Sequence, residues 1–286
     1  MKRRTRNATQ SLAFFLLTIC CLLIVVPVIA IIVYVATQGG GTISWQFLSE
    51  FPKNQAREGG IFPALLGSFY LMIGVVLFAL PVGLLAAIYL HEYAKQNPFT
   101  RLINLSIINL AGVPSIVFGL FGLSFFVLLL KMGSSLLAAS LTLSCLVLPV
   151  VVTASREALA AVPNSYRESS LALGATKWQT IRKVVLPQAW PGILTGLVLA
   201  VSRAAGETAP ILVIGAAFSP ILPNSPLSQF NAIPYHLYVV ATQIPKMPKQ
   251  IQWGIILVLL AMVVLFNLTA IILRIQLRAR KRRWGL

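Results

Sequence analysis

The chain has 286 residues, 58% of them hydrophobic and 10% charged, with a formal net charge of +17. That composition excludes an ordinary soluble domain and marks an all-α polytopic membrane protein. The basic residues gather at the ends of apolar runs, so the charge argues membrane orientation rather than nucleic-acid binding.

Lys2, Arg3, Arg4 and Arg6 precede an apolar run from Leu12 to about Ala36. A run of about 25 residues is long enough to span a bilayer and longer than the core of a signal peptide. It is expected to be an uncleaved first span with its N-terminus in the cytoplasm. Residues 37–60, with Gly39-Gly40-Gly41, read as an outside loop with Trp45 at the interface. Residues 1–60 thus form a tail, a span and a loop ahead of a five-helix core at 61–286, the whole being one membrane domain.

The second span is expected from about Pro63 to Leu90, with Pro81 inside it. His91, Glu92, Lys95 and Arg101 then make a short cytoplasmic loop. The third span, about Leu102 to Leu130, contains Gly112, Pro114, Gly119 and Gly122. Glycine and proline so close together predict a bent or interrupted helix, serving either tight packing or a substrate path. Lys131-Met132-Gly133 is a turn on the outside, and a fourth span from about Ser134 to Ala154 returns the chain to the cytoplasm.

The segment from Arg156 to Pro191 is the longest polar-studded stretch of the chain. Ser165 and Glu168 have the spacing of a capping box, as have Thr176 and Gln179. Gly174 suits the left-handed position that ends a helix. Two short helices joined at that glycine are therefore expected, with Leu186-Pro187 and Trp190-Pro191 leading into the next span. Arg156, Arg167, Lys177, Arg182 and Lys183 against two glutamates make the segment net positive and place it inside.

The fifth span is expected from about Pro191 to Phe218 and holds Ser202, Arg203, Glu207 and Thr208 at its middle. Arg203 and Glu207 stand four apart, on one face of a helix. Charges at membrane depth cost on the order of 3 kcal/mol each and face a bundle interior or a watery path. The pair is either a structural ion pair or an anion site, in which guanidinium would grip an oxyanion through parallel hydrogen bonds while Ser202 and Thr208 add hydroxyls. Residues 219–250 read as a proline-rich outside loop that carries His236 at the surface, whereas His91 sits at a membrane edge. The sixth span, about Ile251 to Ile275, ends in Arg274, Arg278, Arg280, Lys281, Arg282 and Arg283, a cytoplasmic tail.

No G-x-x-x-x-G-K-[ST] occurs, so the chain has no P-loop. Cys20, Cys21 and Cys145 lie in apolar runs without disulfide or zinc spacing, and no catalytic set assembles. The chain reads as neither an enzyme nor a cofactor or metal binder.

Glu168-Ser169-Ser170, Gly174 and Leu186-Pro187 resemble the EAA loop of ABC importer permeases, with serines where that family usually has alanines. The strings A-G-V-P-S-I-V-F-G-L-F-G and S-R-A-A-G-E-T-A-P resemble the permeases of phosphate importers in particular. The resemblance implies a MetI-like permease fold and a cytoplasmic loop docked on an ATPase. It further implies two ATPase subunits that hold ATP and Mg²⁺, a second homologous permease, and an external phosphate-binding protein. Beyond these and membrane lipid no partner is implied, nucleic acid included. An importer of another oxyanion, sulfate or molybdate, and an ATP-independent secondary transporter are the alternatives.

Overall fold

The structure, a computed structural model, describes residues 2–54, 56–218 and 222–283. The side chains of residues 2–9, 11, 12, 270, 273, 274 and 276–283 lie outside the description. The side chains of the basic clusters expected at the two ends therefore lie outside the description, and the first residues of the loop at 219–250 lie outside the described residues.

A long helix α1 (Lys2–Gly39) opens the chain and ends in a 3₁₀ turn. A short helix α2 (Trp45–Ser49) and a two-stranded hairpin, β1 (Pro52–Lys53) with β2 (Glu58–Gly59), follow. The helix α3 (Phe62–Ile88) runs on as a π-helical turn through Tyr93, so His91 and Glu92 sit on a helix end rather than in a loop. Next come α4 (Pro98–Ala111) and α5 (Ser115–Gly122), the latter continued by a π-helical stretch to Leu129. The helix α6 (Leu136–Ala160) is capped by Ser135. Behind it lie α7 (Asn164–Ala172), α8 (Lys177–Thr180) and α9 (Leu186–Gly206). The last three helices are α10 (Ala209–Ile214), α11 (Ile233–Thr242) and α12 (Lys249–Arg283).

Five helical stretches are long and apolar enough to cross a membrane, and the bent α4–α5 pair makes up to six. The third span is interrupted as expected, by a bend of 104° between α4 and α5 at Gly112–Pro114. Pro114 stands ahead of the first turn of α5 with φ −58° and ψ 141°, an extended conformation that a proline adopts without strain.

The helix α6 is the post on which the others pack. It lies against α3, α5 and α9, and each brings a glycine to it. A Cβ at Gly83 would meet Val151, one at Gly122 would overlap Thr142, and one at Gly196 would overlap Ala154. Small residues let backbones approach where lipid supplies no hydrophobic drive between helices. Two hydroxyls on α6 bond back to the helix itself: Thr142 donates to the Ala138 carbonyl and Ser140 to that of Leu136, each at 2.8 Å. No polar group of these side chains is then left facing hydrocarbon.

The expected outside loop at 219–250 carries the helix α11. His236 is not at a surface: it is 2% exposed on α11, stacked on Phe218, with Nδ1 3.1 Å from the Asn231 amide nitrogen. Burial pushes its pKa down to about 4.

Candidate functional site

Two regions carry the residues singled out by sequence, and they sit toward opposite ends of one long helical segment. The chain is helical from Lys177 to Gly206, through α8, a π turn at Ile181–Val185 and α9. This departs from the expectation of a short loop helix followed by a span starting at Pro191. A proline inside an α-helix clashes with the carbonyl four residues back and offers no N–H. Here the wider π turn lies directly upstream of Pro187, with the Leu186 N–H bonded to the Ile181 carbonyl, and the helix passes through.

At the far end α9 stops earlier than expected. Gly206 is its last residue, Glu207 is extended at φ −74° and ψ 124°, and α10 begins at Ala209. A left-handed Gly215 (φ +86°) ends α10, so no span reaches Phe218. Arg203 and Glu207 therefore do not share a helix face; Arg203 is in the last turn and Glu207 lies just beyond it. The whole stretch from Lys177 to Gly206 is long and apolar enough to cross a membrane, and the break falls at its end.

The break brings two of the sequence motifs together. Gly119 of α5 faces α10, where an added Cβ would lie 2.8 Å from the Pro210 Cα. Gly119 and Gly122 thus serve close packing, whereas Gly112 and Pro114 form the bend itself.

Arg203 and Glu207 approach to 3.7 Å between Nε and Oε1, an ion pair without a hydrogen bond. Among the described residues no side chain or carbonyl accepts from the Arg203 guanidinium, whose side chain is 38% exposed against 18% for Glu207. Ser202 is committed elsewhere: its hydroxyl donates to Asn267 Oδ1 on α12 at 2.7 Å. Asn267 was missed in sequence, although a lone amide within an apolar run was there to be read. Thr208 is half-buried between α9 and α10.

At the other end, Gly174 has φ +81°, the left-handed conformation expected of it. The Thr176–Gln179 capping box is formed on both sides. The Ser165–Glu168 box is not: α7 starts behind Pro163 with no side-chain cap, and Ser165 lies within the helix. Glu168 and Ser169 are exposed, while the Ser170 hydroxyl turns inward to Thr180 Oγ1 at 2.9 Å. Leu186 is half-buried and Pro187 exposed at the first turn of α9. Leu171, Leu173 and Trp178 are exposed, Leu173 to 90%. These three are large apolar side chains left open on an otherwise polar loop.

A bundle of broken and continuous spans, with a charged pair at a helix break and an exposed loop between α6 and α9, is the architecture of a multi-pass membrane protein. Residues 79–283 match the sequence model of the binding-protein-dependent transport system inner membrane components, and the chain belongs to that family. It is 35% identical over 251 residues to the probable ABC transporter permease protein YqgI of Bacillus subtilis, covering 83% of this chain and 85% of that one. It is 33% identical over 285 residues to the phosphate transport system permease protein PstA 1 of Mycobacterium tuberculosis, covering 99% and 92%. The fold matches the MetNI methionine ABC transporter in an inward-facing conformation, with TM-score 0.61, 17% identity, and coverage of 76% of this chain and 97% of that one. The chain is therefore an inner-membrane permease component with a MetI-like fold.

Proposed function

We infer that the chain is the permease subunit of an ATP-driven importer of inorganic phosphate, with Arg203 and Glu207 on the substrate path. The names of relatives, one of them matched over nearly the whole chain, support phosphate as the substrate. The observation that carries the site is the Arg203 guanidinium, which gives no hydrogen bond among the described residues and stands at a helix break 3.7 Å from the Glu207 carboxylate. A pair kept only for structure would lock its donors, as Arg167 does. Guanidinium binds an oxyanion bidentately, and Glu207 would accept the proton that hydrogen phosphate carries and sulfate lacks. Asn267 orients Ser202, and Thr208 completes the wall.

Glu168, Ser169, Ser170, Gly174, Leu186 and Pro187 belong to the loop that docks on the ATPase. The partners are two ATPase subunits holding ATP and Mg²⁺, a homologous permease and an external phosphate-binding protein. The basic ends put both termini and the loop in the cytoplasm. ATP binding would draw the loops together and open the path outward, and hydrolysis would reset it. The test is ATP-dependent phosphate uptake by proteoliposomes holding the whole complex, with sulfate as competitor. Arg203→Gln is expected to abolish uptake with assembly intact. Uptake near wild type would return Arg203 to a structural role, and equal competition by sulfate would move the substrate to another oxyanion.

A further inference from the structure

Arg167, on the loop helix α7, is built unlike Arg203. Its side chain is 16% exposed and is bonded on every side. Nε and Nη2 donate to Glu92 Oε1 at 3.3 and 2.8 Å. Nη1 donates to the Val162 carbonyl at 2.7 Å and to Asn164 Oδ1 at 3.3 Å, and Nη2 to the Leu159 carbonyl at 2.9 Å. Five contacts answer the five N–H donors of a guanidinium. They join three elements: the end of α6, the start of α7, and the tip of α3, where the Glu92 side chain is 8% exposed. The neighbouring residue of that tip is also held, since Lys177 at the start of α8 stands over the Tyr93 ring, 4.8 Å from its centroid. The two arms of the loop are tied to each other by Ser170 and Thr180. The tip itself is a π turn, closed by the Ala94 N–H on the Tyr89 carbonyl at 2.9 Å, a geometry frequent at functional sites.

We propose that Glu92 and Tyr93, gripped by Arg167 and Lys177, form a clamp that makes the tip of α3 move as one body with the docking loop. Arg167 is a positioning residue: it touches neither substrate nor ATPase, but fixes the loop to a span that packs along α6. The proposal rests on the reading of this loop as the ATPase dock. With the clamp intact, a push on α7 and α8 reaches α3 directly. With it broken, the loop still docks, but its motion is lost in the hinge.

The test uses the complete transporter carrying Glu92→Gln or Glu92→Ala. Nitroxide labels stand at Lys95→Cys and Ser165→Cys, and Cys20, Cys21 and Cys145 are replaced by serine. In the wild-type background the label distance is expected to be narrow and unchanged by ATP. Glu92→Ala is expected to broaden it and to lower phosphate moved per ATP hydrolysed by about tenfold, within the usual range of coupling. The ATPase should still copurify. Glu92→Gln, which keeps an acceptor for Arg167, should fall between. A label distance that changes with ATP in the wild type, or unchanged transport per ATP in Glu92→Ala, overturns the clamp. Absence of phosphate uptake by the wild-type complex speaks instead against the substrate, because the label distance and ATPase retention do not depend on what is carried.

Discussion

The left-handed turn at Gly174 allows the docking surface to be tested with backbone and charge separated. Its φ of +81° costs an ordinary L-residue about 1–2 kcal/mol, a factor of roughly ten in the local equilibrium. A Cβ there meets nothing within 4 Å, so bulk adds no further penalty within this chain. Asn and Asp tolerate the left-handed region better than alanine and differ from each other mainly in charge. Gly174→Asn is therefore expected to retain most uptake, and Gly174→Ala to lose up to about tenfold through the turn. Gly174→Asp should fall below Gly174→Asn because it sets a carboxylate beside Leu173 at the proposed dock. The assay is ATP-dependent phosphate uptake with ATPase pull-down, at matched membrane levels of each variant. Equal uptake by the Asn and Asp variants would refute docking through this surface. Full uptake by Gly174→Val would refute the need for the turn.

Glu207→Gln is expected to raise the sulfate-to-phosphate flux ratio about tenfold, because an amide donates to bare oxygens and a buried polar mismatch is worth about 1–3 kcal/mol; an unchanged ratio removes Glu207 from selectivity. With the native cysteines replaced by serine, a cysteine at Ser165 should resist an impermeant thiol reagent on intact cells and one at Ser225 should react, the reverse pattern inverting the topology. His236 has its folded pKa depressed to about 4, so only the unfolded chain takes up its proton between about pH 6.5 and pH 4. Stability from this group is complete above pH 6.5 and is lost as pH falls, by about 3 kcal/mol at pH 4. Thermal unfolding of wild type and His236→Gln at pH 7 and pH 4.5 measures it, and an equal loss in both would refute it.

The spans and the bend were legible because apolar length and a glycine–proline cluster are local signals. Gly174 and the Thr176 cap were legible for the same reason. The ends of the fifth span were not. The span was expected to begin at about Pro191, but a π turn carries the helix past Pro187 from α8, and Pro191 is buried within α9. At the other end, Ala204 to Pro210 holds enough apolar residues to look continuous, and the break at Gly206 depends on packing of α10 against α5. Burial of His236 depends on Phe218 and Asn231, and the Glu92–Arg167 contact joins residues far apart in sequence. No periodicity announces such contacts.

The helix α1 meets the rest of the bundle mainly along α12, where Tyr34 stands edge-on to Trp253 at 5.3 Å. Since α1 is synthesised well before α12, it waits for its partner helix. At about 5–20 residues per second, that wait is roughly ten to forty seconds. Throughout it, α1 has only acyl chains for company, and the side chains from Ala13 to Val33 suit the delay: all but Thr18 are apolar, Cys20 and Cys21 included. Thr18 turns its hydroxyl back onto the Phe14 carbonyl. The same all-round greasiness that looks wasteful in the finished bundle lets a nascent chain park its leading helix in the bilayer until its clasp arrives.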